Sequence, residues 1–287
     1  MSTLLKIEFI IAEELADEAG VFIVSKVPHG WEETPIEGGR KITLYLEDHP
    51  LGMEVVKEFQ ARFPDGDVTY GEEEPEDWAM AWKDFFVPVN CGESFKIFPP
   101  WLSDDDDTTT KHITIEPKMA FGTGHHPTTS LCLATIGDLA KSEVILPGQT
   151  FLDLGTGSGI LGIGLSMLGL TGVALDIDPL AVSCAVENAG INDVAECMEL
   201  AVGSIDCLAD DVEFDLVVAN ILSGPLIEMA SDILARIKPG GSLVLSGILV
   251  DKQSDAVADA YEKRGIGQPQ RFTEGEWVCL TWDNIGS

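Results

Sequence analysis

The chain has 287 residues, of which 45% are hydrophobic, so it can hold one large and one small domain with packed cores. Its 49 acidic and 17 basic residues give a formal net charge of −32, which repels nucleic-acid phosphates and attracts basic partners. We therefore expect no direct nucleic-acid binding. Two explanations of the charge remain, namely general solvation in a salty cytoplasm and steering of a basic substrate.

The N-terminus and the cysteines indicate a cytoplasmic protein that is not bound to a membrane. Acidic residues interrupt the apolar positions of residues 1–20, so the basic start and apolar centre of a signal peptide are missing. No stretch reaches the roughly 18 uninterrupted apolar residues that a membrane span needs. The six cysteines are scattered without a Cys-x-x-Cys pair, and we expect reduced, mostly buried thiols.

The first part of the chain repeats one pattern of elements. Apolar spacing predicts, in order, a strand at 5–11, a helix at 12–19, strands at 21–27 and 41–46, a helix at 53–63 and a strand at 67–70. This βαββαβ order predicts a small ferredoxin-like α+β domain over residues 1–72. Residues 73–101 form a predicted linker with a helix at 77–86, whose aromatic face should pack against a neighbouring domain, and a hairpin at 87–101.

Residues 102–287 alternate apolar strands with helices, which predicts an α/β domain whose parallel sheet is covered on both faces. The run Asp104–Asp107 reads as a solvated loop. The predicted strands lie at 150–154, 172–176, 197–201, 215–219, 242–247, 267–272 and 277–282. Seven strands with this spacing indicate a Rossmann-like fold.

A glycine-rich loop, Asp153-Leu-Gly155-Thr-Gly157-Ser-Gly159, follows the first of these strands and opens a helix. Gly157-Ser-Gly159-Ile-Leu-Gly162, which runs from this loop into the helix, also fits the G-x-G-x-x-G pattern of dinucleotide sites, so a nicotinamide or flavin enzyme is an alternative. However, Asp153 would repel a pyrophosphate, whereas it would attract the ammonium and sulfonium groups of S-adenosylmethionine. The loop therefore favours a class I methyltransferase domain, with Asp153, Gly155 and Gly157 as predicted cofactor-binding residues.

Two further strand ends bring polar side chains to the edge where open α/β sheets bind their ligands. Asp176 ends the second strand, and its carboxylate can accept both hydroxyls of an adenosine ribose. Asp178 is better explained as the cap of the next helix. Asn220 ends the fourth strand and is, taken alone, equally well explained as a structural residue. The run Asn220-Ile-Leu-Ser223 lacks the prolines typical of methyltransferases acting on base amines or glutamine, which argues against those substrates.

A turn-rich loop at residues 119–130 precedes the large sheet and leads into a helix that Thr129 or its neighbours could begin. We expect this loop to close over the cofactor, with Phe121 as an apolar wall. The adjacent His125 and His126 lack a third ligand at suitable spacing, so no metal site is expected.

Five motifs follow one another along the chain: Met119-Ala-Phe-Gly-Thr-Gly-His-His-Pro-Thr-Thr129, Asp153-Leu-Gly-Thr-Gly-Ser-Gly-Ile-Leu161, Asp176-Ile-Asp-Pro-Leu-Ala-Val182, Val218-Ala-Asn-Ile-Leu222 and Glu274-Gly-Glu-Trp-Val278. In this order they resemble the bacterial methyltransferases of large-subunit ribosomal protein eleven, and the resemblance runs through the whole chain. One departure is Glu116-Pro-Lys118, where members often have glycine after the proline.

The resemblance implies transfer of methyl groups from S-adenosylmethionine to lysine side-chain and N-terminal amines of that ribosomal protein, held by the first domain. It also implies that Thr129, Gly155, Asp176 and Asn220 contact the cofactor. A lysine amine must first lose its proton, and we expect desolvation against Phe121 to lower its pKa while Asn220 orients the nitrogen. The remaining alternatives are a lysine methyltransferase of the same build acting on another basic protein, a nicotinamide oxidoreductase and a non-catalytic binding protein.

Overall fold

A computed structural model describes residues 4–16, 19, 22–23, 26, 32–36, 38–46, 49–64, 66–73, 87–102, 109–116 and 126–286. The chain divides into two compact units, Met1–Phe85 and Phe86–Ser287. None of the helices within these ranges is long and apolar enough to cross a membrane. The predicted linker helix at 77–86, the run Asp104–Asp107 and Phe121 lie outside the described residues.

The first unit contains a four-stranded antiparallel sheet in the order β2-β3-β1-β4. Along β1, Ile7 and Phe9 are fully buried and face helix α1, where the ring centroid of Phe59 lies 4.1 Å from that of Phe9. The elements are β1 (Leu4–Ala12), a 3-10 turn (Glu13–Leu15), β2 (Glu32–Ile36), β3 (Gly39–Leu46), α1 (His49–Arg62) and β4 (Asp67–Glu73).

The predicted strand at 21–27 is wrong, because the described residues Phe22, Ile23 and Lys26 are helical. The buried residues Ala16, Ala19, Phe22 and Ile23 recur at the spacing of one helix face, which the short apolar run concealed. The strand that follows is β2, which was not predicted. It contains two glutamates and a proline, so it lacks the apolar alternation that indicates a strand. The other predicted strands and the helix at 53–63 correspond to β1, β3, β4 and α1.

The second unit begins with a small three-stranded sheet in the order β5-β6-β7. Its strands are β5 (Val89–Cys91), β6 (Phe95–Phe98) and β7 (Lys111–Thr114), with a 3-10 turn at Pro100–Leu102. β5 and β6 pair antiparallel as the predicted hairpin, and β6 pairs parallel with β7. The hairpin therefore belongs to the second unit and carries a third strand that the sequence pattern did not predict.

The large sheet of the second unit has seven strands in the order β10-β9-β8-β11-β12-β14-β13. They are β8 (Thr150–Leu154), β9 (Thr171–Asp176), β10 (Met198–Val202), β11 (Phe214–Asn220), β12 (Ile237–Leu249), β13 (Gln270–Glu274) and β14 (Trp277–Ile285). Every predicted strand corresponds to one of them. The strand order reverses beside β8, so the carboxyl ends of β8, β9 and β11 enclose a crevice.

The sheet is mixed rather than wholly parallel, which corrects the predicted parallel arrangement. β8 to β12 pair parallel, whereas β14 runs antiparallel to both β12 and β13. The antiparallel direction of β14 relative to β13 follows from the short turn that joins them, in which Gly275 has a φ of 60°. So short a connection permits only a hairpin, because parallel strands need a long crossover.

Helices cover both faces of the large sheet, as predicted. One core contains Leu133 and Ile163 from α2 and α3, and the other contains Leu226 and Tyr261 from α5 and α7. The helices are α2 (Pro127–Lys141), α3 (Ile160–Met167), α4 (Pro179–Ile191), α5 (Ser223–Glu228), α6 (Ala230–Leu234) and α7 (Lys252–Glu262), with 3-10 turns at Ala195–Cys197 and Ile205–Cys207.

Candidate functional site

A cavity of about 560 Å³ opens at the carboxyl edge of the large sheet. Five residues predicted to bind the cofactor lie together in its lining, although they come from four separate segments: Thr129, Gly155, Gly157, Asp176 and Asn220. The other lining residues are His126, Thr128, Leu154, Thr156, Ile160, Leu161, Ile177, Gly203, Ser204, Ile221, Leu222, Pro225, Met229, Gly247 and Trp277. The wall is therefore mostly apolar with a few convergent polar groups, which is typical of a small-molecule site.

The glycine-rich loop forms one wall of the cavity with a backbone that only glycine adopts readily. Gly155, Gly157 and Gly159 have φ angles of 76°, 56° and 85°, all in the left-handed region. The Gly155 and Thr156 N–H groups donate to the Leu175 carbonyl at 2.8 and 2.9 Å, which joins the loop to the neighbouring strand. At Gly155 and Gly157 the loop thus presents peptide groups to the cavity with no side chain in between.

Asp176 lies at the end of β9 with its carboxylate held by two backbone groups. Its Oδ2 accepts from the Gly157 N–H at 2.8 Å, and its Oδ1 accepts from the Asp178 N–H at 3.0 Å. Each oxygen has a second lone pair, so the fixed carboxylate can still accept hydroxyl groups of a ligand. Asp178 caps α4 as predicted, because its side chain accepts from the Leu180 N–H at 2.9 Å.

Asn220 and Thr129 meet across the cavity floor. The Asn220 Nδ2 donates to the Thr129 Oγ1 at 3.4 Å, and Thr129 itself is fully buried in the first turn of α2. Among the described residues the buried Asn220 Oδ1 has no hydrogen-bond partner. A buried amide oxygen without a partner is costly, so the site is suited to a ligand that brings an N–H donor.

His126 and Trp277 form a second pair on the cavity wall. Their ring centroids lie 4.9 Å apart in an edge-to-face arrangement. His126 caps α2, because its Nδ1 accepts from the Thr128 N–H at 3.3 Å and lies 2.8 Å from the Thr128 Oγ1. This histidine therefore positions a helix that carries Thr129. Within the described residues, no group of three histidine, cysteine or acidic side chains could hold a metal ion.

Asp153 is a predicted cofactor-binding residue, but it does not line the cavity. Successive strand side chains point to opposite faces, so Leu154 faces the cavity and Asp153 lies fully buried beneath the loop. Its Oδ2 accepts from the Thr156 hydroxyl at 2.7 Å and from the Gly162 N–H at 3.0 Å. Burial raises the pKa of Asp153 to about 6, and these hydrogen bonds limit the rise. Asp153 therefore shapes the glycine-rich loop rather than touching a ligand.

The buried Asp153 should make stability fall as the pH rises. Its ordinary pKa is 3.8, and the higher folded-state pKa means that the native protein keeps this proton longer than the unfolded chain. The free energy of unfolding should thus lose about 2 kcal/mol from this group between pH 4 and 6. An Asp153→Asn variant has no titrating group at this position and should lack this loss. Urea unfolding of both proteins across this range measures the difference, and parallel curves would contradict the assignment.

Several cavity residues were not anticipated from sequence. Ile177 directly follows Asp176, Leu222 lies two residues after Asn220, and the two side chains are 77% and 74% exposed. An apolar residue kept in a loop just after a polar strand end is a signal that could have identified both. Met229 and Trp277 do not follow a polar strand end, and only the fold brings their distant segments to the cavity.

Comparison with known proteins gives concordant matches. A family model described as ribosomal protein L11 methyltransferase (PrmA) matches residues 12–284. The ribosomal protein L11 methyltransferase of Chloroflexus aurantiacus is 40% identical over 71% of this chain and 68% of its own length. That of Myxococcus xanthus is 38% identical over 86% of this chain and 82% of its own length. A crystal structure of ribosomal protein L11 methylase from Lactobacillus delbrueckii subsp. bulgaricus matches with a TM-score of 0.62 and 27% identity, covering 70% of this chain and 100% of that one.

Proposed function

The chain belongs to the ribosomal protein L11 methyltransferase family, and from that premise we propose that it transfers methyl groups from S-adenosylmethionine to lysine side-chain and N-terminal amines of ribosomal protein L11. One observation carries the proposal beyond family membership. A single cavity combines a strand-ending carboxylate, Asp176, with a buried amide oxygen, that of Asn220, which has no hydrogen-bond partner among the described residues. The Asp176 carboxylate suits the ribose hydroxyls of a nucleoside, and the Asn220 amide oxygen suits the N–H of an amine.

The cavity residues fit S-adenosylmethionine. Asp176 would accept hydrogen bonds from the ribose hydroxyls, while Gly155, Gly157 and Thr129 would contact the rest of the cofactor. None of the described residues in the lining is lysine or arginine, so no such cation would repel the positively charged sulfonium and ammonium groups. When bound, S-adenosylmethionine supplies an electrophilic methyl group on a positively charged sulfur.

The chain's own contribution to methyl transfer is to orient and desolvate the amine. The hydrogen bond from Asn220 to Thr129 fixes the amide, so the Asn220 Oδ1 can accept an N–H of the incoming amine. Apolar groups such as Leu222, Met229 and Trp277 lower the pKa of a lysine amine from its reference value of about 10.4 by disfavouring the charged form. Positioning then matters more than acid–base catalysis. A similar role proposed for Phe121 falls outside the described residues.

We assign substrate recognition to the first unit. The strand order β4-β1-β3-β2, with helical residues between β1 and β2 and α1 between β3 and β4, supports a ferredoxin-like domain. We keep its proposed extent as residues 1–72, followed by the linker helix and hairpin at 73–101 and the methyltransferase domain at 102–287, and the hairpin falls in the second compact unit. The net charge of −32 favours a basic protein as partner and disfavours nucleic acid, and the reaction is assigned to the cytoplasm.

Mass spectrometry of ribosomal protein L11 from a strain lacking this chain tests the proposal. We expect amines of L11 that are methylated in the parent strain to be unmodified in the deletion strain, because the enzyme that methylates them would be missing. Re-expression of the chain should restore them. Unchanged methylation of L11 in the deletion strain would contradict the proposal, and loss of methyl-lysine from another basic protein would instead support the alternative substrate.

A further inference from the structure

Three consecutive residues of the glycine-rich loop are held from different directions. The Gly157 N–H donates to Asp176, and the Ser158 carbonyl accepts from the Asn188 Nδ2 at 2.8 Å. A Cβ on Gly159 would lie 3.0 Å from the Cβ of Ala185, so this residue is in close contact with α4. Ala185 and Asn188 lie one turn apart on the same face of α4. The loop is therefore seated on this face of the helix.

The same helix also binds the edge of strand β7. The Asn188 Oδ1 accepts from the Glu116 N–H at 3.0 Å. One turn later, Asn192 accepts from the Thr114 N–H at 2.8 Å and donates to the Thr114 carbonyl at 2.7 Å. Residues four apart on a helix are separated by about 6 Å, which is close to the repeat of two residues in a strand. Asn192 thus pairs with Thr114, the last residue of β7, and Asn188 with Glu116 two residues later, on the side that faces away from β6.

The two asparagines differ in one respect. Asn188 is only 1% exposed and bonds both to Glu116, just after β7, and to the glycine-rich loop, whereas the Asn192 side chain bonds to Thr114 and to the Asn188 carbonyl. Of these two asparagines, Asn188 is therefore the one whose amide links the glycine-rich loop to the segment that follows β7. Loss of its donor would leave the buried Ser158 carbonyl without this bond.

We propose that Asn188 is a positioning residue of the cofactor site, fixing the glycine-rich loop against the segment that follows β7 so that Gly157 and Asp176 keep their mutual geometry. The inference rests on the proposed function, because it takes S-adenosylmethionine as the ligand of the loop. It adds a residue outside the cavity lining to those that determine cofactor affinity.

Paired variants separate this role from general stability. Asn188→Asp keeps an oxygen for the Glu116 N–H but places a second oxygen against the Ser158 carbonyl. Asn192→Ala breaks the neighbouring bonds to Thr114 and leaves the Asn188 side chain in place. We expect calorimetry with S-adenosylhomocysteine to show at least tenfold weaker binding for Asn188→Asp and a change below about twofold for Asn192→Ala, while thermal unfolding shows both variants destabilised.

Binding by Asn188→Asp within twofold of wild type, or equal weakening in Asn192→Ala, would overturn the inference. A wild-type protein that does not bind the probe would overturn the proposed function itself. Hydrogen exchange on the wild-type protein tests the link even if Asn188→Asp does not fold. The probe should slow exchange of the Glu116 amide more than that of the Thr114 amide, and equal or absent protection at Glu116 would contradict it.

Discussion

Replacing Asn220 by alanine should lower kcat by about 100-fold or more, because the amine would lose the group that orients it for in-line attack. The Asn220 amide is fixed through Thr129, and its Oδ1 has no other hydrogen-bond partner among the described residues. Affinity for S-adenosylhomocysteine should change less than tenfold, since this probe lacks the methyl group and needs no amine. Steady-state transfer to L11 at saturating substrate measures the first quantity and calorimetry the second.

Asn90 provides a matched control for this substitution. It is an exposed asparagine on β5 and is absent from the cavity lining, so Asn90→Ala should leave kcat unchanged. If Asn220→Ala retains the wild-type kcat, the amide oxygen does not orient the amine. If it loses cofactor affinity and kcat to the same degree, Asn220 acts mainly through the cofactor.

Replacing Asp176 by alanine should weaken cofactor binding by at least 100-fold. Two hydrogen bonds from the ribose to a carboxylate would be lost, and hydrogen bonds to charged groups contribute about 1.5 to 3 kcal/mol each. The Gly157 N–H would also lose its partner at 2.8 Å, which loosens the glycine-rich loop. Titration of the variant with S-adenosylhomocysteine measures the loss.

Asp178→Ala is the control for Asp176, because it removes a neighbouring carboxylate that caps α4 and does not line the cavity. We expect it to cost about 1 kcal/mol of stability and to change cofactor affinity less than twofold. Retained affinity in Asp176→Ala would refute the ribose assignment. A comparable loss in both variants would mean that the start of α4, rather than the Asp176 carboxylate, determines binding.

The large domain could be predicted well because its central strands β8, β11 and β12 are mostly buried and read as largely apolar runs between helices. The strand ends at Leu154, Asp176 and Asn220 follow directly from those runs. In the first unit the same reasoning failed at residues 21–27, since a short apolar run does not distinguish a buried helix from a strand. It also missed β2, whose polar residues form a ladder with β3.

The candidate site could be predicted only in part, because sequence locates residues along the chain but not the direction of their side chains. Asp153 and Leu154 are neighbours, yet only Leu154 lines the cavity. The electrostatic argument that favoured a methyl donor therefore fits the cavity for a different reason, namely that its described lining residues include no lysine or arginine to repel a sulfonium group. Trp277 reaches the cavity because β14 inserts between β12 and β13, an arrangement that strand spacing alone does not reveal.

Transfer of labelled methyl groups from S-adenosylmethionine to purified ribosomal protein L11 tests the central claim most directly. L11 and other basic ribosomal proteins would be incubated separately with the enzyme, and mass spectrometry would locate the label. We predict that the label appears on lysine side-chain and N-terminal amines of L11, and that Asn220→Ala greatly slows its appearance. The account would be contradicted if the enzyme binds the cofactor and labels another protein but leaves L11 unlabelled.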